Sequence, residues 1–503
     1  MELEFKESSF QRLDCVLHDV KYQEETGEMI VPDSEPDMEE VVASYADVMI
    51  RGKDCRNGCV IISGGIKGCV IYRPEDHTAP RNLQFYLPFT VKFENPSLTE
   101  QSNIICSAKV RSADGRMLNS RKAMLRVNIG CGVTALEKSE DCFFSPAHIP
   151  DALQIEEKLY KFRLPVEYAE KSFVVSDTLE FPVSRPPIVS IVKECCRLEI
   201  NESKLVGNKG VFKGLAHFKF LYLSEDDHFY SYEQMFPFSQ YCEFNNDYDE
   251  QALEILPVVT GYDLDPDSQT ELRSAQLSIH ILVQSVVYDD REVKLIEDAY
   301  AIGHELLPQW SLYNFNSQLD EQKERRHLRC QFRGNITNII DADIYSDYPT
   351  VEHSHDEVRI SSTAHVRLLA IDENGELLAL QEQVRDQHVI ALSEKGKCSA
   401  QADMVGAVST SIFSGGAEVC FECISKRRFT AVQNVRTLKG ADLKPLDRNG
   451  EKVPSIIIQR VSKDTDLWSI SKENQSKKAA IRAANQLEGD VITEERFLLI
   501  PVG

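Results

Sequence analysis

The chain has 503 residues, 42% of them hydrophobic and 27% charged, and a formal net charge of -24. That is too long for one hydrophobic core and implies roughly three or four domains of ordinary soluble composition. So acidic a surface repels phosphates, which excludes duplex nucleic acid and anionic bilayers as default partners and favours basic proteins.

The opening run Met1-Glu2-Leu3-Glu4-Phe5-Lys6-Glu7 lacks the basic and apolar regions of a secretory signal. No stretch reaches the ~20 apolar residues of a membrane span. The expectation is a chain that stays where it is made, its fourteen cysteines reduced and mostly packed as small hydrophobes.

The first forty residues read as an extended segment ending in Ile30-Val31-Pro32-Asp33-Ser34-Glu35-Pro36-Asp37, held extended before each proline. Asp37 is predicted to cap a short helix through Met38–Val42. A strand follows from about Val60 to Tyr72, with Ile62, Gly64, Ile66, Gly68, Val70 and Tyr72 on one face. A polar loop, residues 73–81, leads to a second strand, Leu83–Phe89.

The same grammar returns about 150 residues later. Phe212, Ala216, Phe218, Phe220 and Tyr222 alternate, a loop Ser224-Glu225-Asp226-Asp227 follows, and then Met235-Phe236-Pro237-Phe238. Pro237 stands 149 residues after Pro88, nearly the offset of the preceding strands, and a proline without an N–H donor implies an edge strand or strand end. A third copy carries Ile360, Ser362, Ala364, Val366, Leu368 and Ala370, with the turn Asp372-Glu373-Asn374-Gly375. It shares Ala-His-x-basic-x-Leu with the second (Ala216–Leu221, Ala364–Leu369) but has Arg385-Asp386 in place of Pro-Phe.

Each copy closes with a strand pair: Ile104–Val110 with Ala123–Ile129, Leu253–Val259 with Ala275–Val283, Ala402–Ser409 with Ala417–Cys423. The prediction is three β-rich, sandwich-like units, 1–140, 141–300 and 301–438, giving length and edges for assembly. Residues 439–454 read as a polar linker. Residues 455–503 change character: a strand Ile456–Val461, a helix Asp466–Glu473 capped by Thr465 or Asp464, a helix from Lys477 to Ala484, and a strand Phe497–Ile500 make a small βααβ domain.

Catalytic and metal signatures are missing. Cys420-Phe421-Glu422-Cys423 lacks a second ligand pair, and on a strand its two thiols point to opposite faces. His353-Ser354-His355-Asp356 reads as a solvated turn, and His217 and His365, at corresponding positions, as structural or interface residues. Gly64-Gly65 and Gly68 fall within a strand and mark a bulge rather than a phosphate loop. No phosphate-loop, dinucleotide or nucleophile-elbow motif occurs, so no catalytic residue, metal or cofactor is assigned and the chain is read as a non-enzyme.

Val461, Leu467-Trp468-Ser469-Ile470, Ile481, Asn485, Leu487, Asp490, Ile492 and Leu498-Leu499-Ile500-Pro501 follow the order and spacing of the LysM family, which residues 455–503 resemble. Upstream, Val31-Pro32-Asp33-x-x-Pro36-Asp37, the strand ending at Tyr222, the Pro-Phe strand and Glu297-Asp298-Ala299-Tyr300 resemble the SPOCS domain of clostridial spore-coat proteins.

These resemblances imply three SPOCS-type units plus one LysM, in a scaffold of spore-coat assembly working in the mother-cell cytoplasm at the forespore or coat surface. The implied partner is the coat morphogenetic ATPase, SpoIVA-like, with an N-acetylated glycan of peptidoglycan or cortex as the alternative occupant and self-association open. The implied docking rim comprises Lys463, Asp464, Thr465, Asp466, Leu467, Asn485, Leu487, Asp490 and Ile492. The family's Gly-Asp-Thr-Leu is Asp464-Thr465-Asp466-Leu467 here, and its Pro-Gly is Glu494-Glu495. Loss of the glycine is expected to remove a positive φ, and the added charge favours a protein over a neutral sugar. Trp468 is expected inside the small core.

Overall fold

A computed structural model describes residues 4–181, 186–249, 251–267, 273–391, 396–446 and 454–502. The first region holds β1 (Phe5–Ile30), β2 (Met38–Arg56), β3 (Cys59–Pro74), β4 (Arg81–Glu94), β5 (Asn103–Asn119) and β6 (Lys122–Pro146). The second holds β7 (Leu153–Glu180), β8 (Ile188–Ser224), β9 (Phe229–Tyr248), β10 (Ala252–Pro266) and β11 (Ser274–Ala301). The third holds β12 (His304–Arg333), β13 (Ile336–Ser346), β14 (Thr350–His353), β15 (Glu357–Asp372), β16 (Leu377–Ala391), β17 (Lys397–Phe413) and β18 (Gly416–Pro445). Then come β19 (Ile456–Val461), α1 (Leu467–Glu473), α2 (Lys478–Asn485) and β20 (Arg496–Pro501).

Two departures from the sequence reading concern boundaries. The helix expected at Met38–Val42 is the start of β2, and Lys439–Pro445, assigned to the linker, continue β18 opposite β12. The chain-local signals there were Gly440 and Pro445, but pairing with His304–Gln309 supplies the backbone partners that a polar loop would lack. Residues 447–453 of that linker lie outside the described residues.

Each region has a three-stranded antiparallel sheet with the last long strand in the middle: β1-β6-β5, β7-β11-β10 and β12-β18-β17. Each also has a second sheet, three-stranded β2-β3-β4, two-stranded β8-β9, or four-stranded with β15 between β13 and β16 and β14 beside it. In the first region the two sheets face each other over one core, with Val60, Ile62, Phe85 and Phe89 against Leu125, Val127 and Ile129. In the second, Phe212, Phe218, Phe220 and Phe238 meet Ile279, Ile281 and Val283 the same way. The alternating stripes read from the sequence are these inner faces, which is why they are apolar at every second residue.

A cross-strand pair recurs at one position. Gly64 of β3 lies opposite Phe89 of β4, and Gly214 of β8 opposite Phe238 of β9. A Cβ on Gly64 would strike the Met49 carbonyl and the Phe89 ring; on Gly214 it would strike the Glu199 carbonyl and the Phe238 ring. Glu199 and Gly214 both belong to β8, which therefore doubles back at Gly207, held at φ 58°. In the third region the opposed residues are Ser362 and Asp386, and Asp386 bonds Arg326 and His388 instead of filling the space above a glycine. Pro88 and Pro237 sit on β4 and β9, the end strands of their sheets, where a missing N–H costs no ladder bond.

The three regions close on one another rather than extending. Ala43, Tyr45 and Ile71 from the first, Val192, Leu221 and Phe229 from the second, and Leu369 from the third bury one shared apolar centre. The long strands meet again around Phe10, Phe143, Phe162, Leu295, Phe315 and Val435. Each region also sends a cation into its neighbour. Lys67 reaches Glu194 at 2.9 Å and the Tyr262 carbonyl at 3.0 Å. Lys219 bonds Asp341 and, at 2.7 Å, the Ala342 carbonyl. Arg367 bonds the carbonyls of Ser44 and Ala113.

Lys193 joins Lys219 on Asp341 and Asp343, and all four side chains are buried. Burial would raise the Asp341 carboxyl, but the two lysines outweigh it and hold it well below the usual carboxylate range.

Asp341→Asn is expected to leave two buried ammonium groups short of a counter-charge and to cost about 3–5 kcal/mol, read by denaturant unfolding. Because the folded carboxyl is depressed, its contribution is present above the ordinary value near 4 and is lost as pH falls below it. Gly64→Ala is expected to destabilise by more than about 2 kcal/mol, whereas Ser362→Ala at the matching position stays within about 0.5 kcal/mol. Equal costs at the two sites would remove the glycine–aromatic explanation.

Candidate interaction site on the C-terminal body

The last fifty residues build a body with its own core. β19 and β20 pair antiparallel from Ile456–Pro501 to Val461–Arg496. α1 and α2 close over one face, burying Val461, Leu467, Ile470, Ile481, Ile492, Leu498 and Ile500 together. Asp466 is the N-cap residue of α1, one place later than expected, and makes no side-chain cap bond. α2 ends where Gln486 turns left-handed.

The two rim loops are stitched to each other. The Asp464 N–H donates to the Ile492 carbonyl at 2.7 Å, Ile492 N–H to Thr465 at 3.0 Å, and Leu467 N–H to Asp490 at 2.8 Å. Asp464 holds φ 62° itself, so the positive-φ position survives loss of the glycine; a short polar side chain tolerates that region better than most.

The nine residues expected on the rim therefore divide. Leu467 and Ile492 are core, and Leu487 packs half-buried against them. Asn485 pins α2 to β20, donating to the Ile481 and Leu499 carbonyls and accepting from the Leu499 N–H at 2.8 Å. Asp490 is bridged by Lys478 at 2.9 Å and by Arg482. Thr465 donates to the Ser462 carbonyl. Lys463 and Asp464 are exposed and Asp466 half-exposed, leaving this short stretch as the open rim.

Trp468 is buried, 6% exposed, but outside the small core. It faces β11 instead. Its ring meets Tyr300 edge-on at 4.9 Å, and its indole N–H donates to Asp298 Oδ2 at 2.9 Å. Lys472 reaches the same carboxylate at 2.6 and 2.7 Å, and the Tyr300 hydroxyl donates to the Ser476 carbonyl at 2.7 Å. This seat is part of the run Glu297–Tyr300, which in the sequence carries only the resemblance to the SPOCS domain. An indole N–H needs a partner when buried, and that requirement was the one signal that Trp468 faces a polar neighbour rather than the body's apolar interior.

Charge shapes the seat from two sides. Burial would raise Asp298, but hydrogen bonds from Lys472 and Trp468 outweigh it and hold the carboxyl below its usual range. Burial, with the Asp466 charge behind it, pushes Glu156 of β7 above that range.

The other residues singled out from the sequence stay apart. Cys423 is buried and Cys420 half-buried, and all fourteen cysteines are unpaired. Ser354 and Glu357 close a turn at 2.8 Å around His355. His217 is buried 3.7 Å from Glu199, and burial lowers its imidazole. Among the described residues no group of three or more His, Cys, Asp or Glu is placed to hold a metal, and no helix is long and apolar enough to cross a membrane.

With Trp310→Phe as background, Trp468 is the sole tryptophan and its emission reports docking. As pH falls, the raised Glu156 takes its proton first and loses its repulsion with Asp466, so docking holds or tightens. The depressed Asp298 gives way only below the ordinary value near 4, where the emission shifts red. Asp298→Asn is expected to shift it red at neutral pH; an unchanged spectrum would show that this carboxylate does not seat the ring.

A family model described as SipL, SPOCS domain matches residues 187–265. Searches of curated proteins and of solved structures gave no match. The matched stretch spans β8, β9 and nearly all of β10, and over it the chain is similar to the SPOCS domain.

Proposed function

We propose that the chain is a non-enzymatic adaptor of bacterial spore-coat assembly. Its three β regions act as repeated SPOCS-type units, and residues 455–503 act as a LysM-type module that docks a coat morphogenetic protein, SpoIVA-like. The observation that carries this reading is the SPOCS match over residues 187–265. It is supported by the shared placement of β3–β4, β8–β9 and β15–β16, in which Gly64–Phe89, Gly214–Phe238 and Ser362–Asp386 stand at one register. The module's βααβ order and the exposed stretch at Lys463 and Asp464 support a docking end. The place of action on this reading is the mother-cell cytoplasm at the forespore surface.

The glycan alternative uses the same loops, but several of its expected contacts are already engaged. Leu467 and Ile492 are in the core, and the Asn485 amide is bonded to β20.

The full chain used as bait in sporulating cells is expected to retain the morphogenetic ATPase, and Lys463→Glu with Asp464→Lys to weaken that retention about tenfold. No ATPase on the wild-type bait would sink the reading. Retention on insoluble peptidoglycan that chitin oligomers compete away would transfer it to the glycan alternative.

A further inference from the structure

Among the described residues, nothing covers one face of the two-stranded sheet of the C-terminal body. Alternation sends Ile457, Val461, Leu498 and Ile500 toward the helices and Ile456, Ile458, Arg460, Phe497 and Leu499 away from them. The away-facing residues form direct cross-strand pairs, Ile458 with Leu499 and Arg460 with Phe497. Ile456 is 58% exposed, Ile458 67%, Phe497 67% and Leu499 43%. The βααβ core asks only for apolar residues on the inner face; nothing in its packing requires four large apolar side chains on the outer one.

Single exposed apolar residues need no explanation, but four sharing one face of one hairpin are a patch. Together they present on the order of 400 Å² of apolar surface, in the range of the largest patches on monomeric proteins. Two other sides of the body are occupied: α1 and α2 cover the inner face, and Trp468 and Lys472 are seated on β11. The patch stays open with that seat made.

We propose that this face docks a second copy of the chain, sheet face against sheet face about a two-fold axis. Charge favours that occupant. Residues 455–503 hold seven Lys or Arg and seven Asp or Glu, so the whole net charge of -24 lies upstream. The body is thus the part of the molecule that two acidic chains bring together with least repulsion. The rim is also self-complementary: Arg460 and Glu495 sit side by side at 2.5 Å, both more than half exposed, and a two-fold axis sets each against its opposite in the other copy. Two such faces with their polar rims approach the ~1,000 Å² that a specific interface requires, which corresponds to a weak, concentration-dependent dimer. This contact is independent of the loop rim assigned above.

The test is the mass of the full chain by sedimentation or light scattering from about 1 to about 200 µM, a range that brackets micromolar affinity. The wild type is expected to move from 57.0 kDa toward twice that value. Ile458→Glu and Phe497→Glu are expected to stay at the single-chain mass with unchanged thermal unfolding, and Ile458→Val to dimerise like the wild type. A wild type of single-chain mass throughout overturns the proposal, as does doubling that survives both glutamate substitutions. A monomeric wild type whose patch instead retains a different protein or a lipid vesicle overturns it in favour of that occupant.

Discussion

Cations that cross from one region into the next hold this fold closed. Among them Lys67, Lys219 and Arg367 come from β3, β8 and β15, and each crosses into the next region to meet a carboxylate or backbone carbonyls. Around them Ile71, Leu221 and Leu369 bury the shared apolar centre. The arrangement is costly to assemble, since Lys193, Lys219, Asp341 and Asp343 leave water together. It is also demanding, because any one missing partner strands a buried charge. Relative placement of the regions thus rests on a polar fit as much as on apolar contact.

What the sequence discloses and what it hides divide along the same line. Strand faces were legible because an inner face takes an apolar residue at every second place, as Phe212, Ala216, Phe218, Phe220 and Tyr222 do, although from Ala216 onward the opposite face is buried as well. The Pro-Phe match at Pro88 and Pro237 was legible because proline is confined to end strands. The helix expected at Met38 failed because a capping aspartate and a run of glutamates suit a helix locally, while β3 offers a ladder that local sequence does not display. The closed packing was hidden for a similar reason: Lys219 and Arg367 show in the sequence only as the basic place of a shared motif and Lys67 as an ordinary polar position, and their partners lie more than a hundred residues away.

The C-terminal body shows the same division at smaller scale. Its βααβ order could be read from hydrophobic spacing, and its helices lie within a residue or two of where they were expected. The direction of Trp468 could not, since its partners Asp298 and Tyr300 belong to β11. Several side chains expected to meet a ligand instead hold the body together, with Asn485 fixing α2 to β20 as the clearest case. Small domains have few residues to spare, so positions that look like a binding motif are often also the ones that keep the core shut.

The closed arrangement of the β regions carries a consequence for how such a protein can change. An open stack of repeats can gain or lose a copy, because each contacts only its neighbours along a line. Here the third region returns to the first through Arg367, so that each region touches both of the others. An added region would have to break one of these contacts, whereas a matched pair such as Ser362 with Asp386, standing where the other two regions set a glycine against a phenylalanine, leaves them in place.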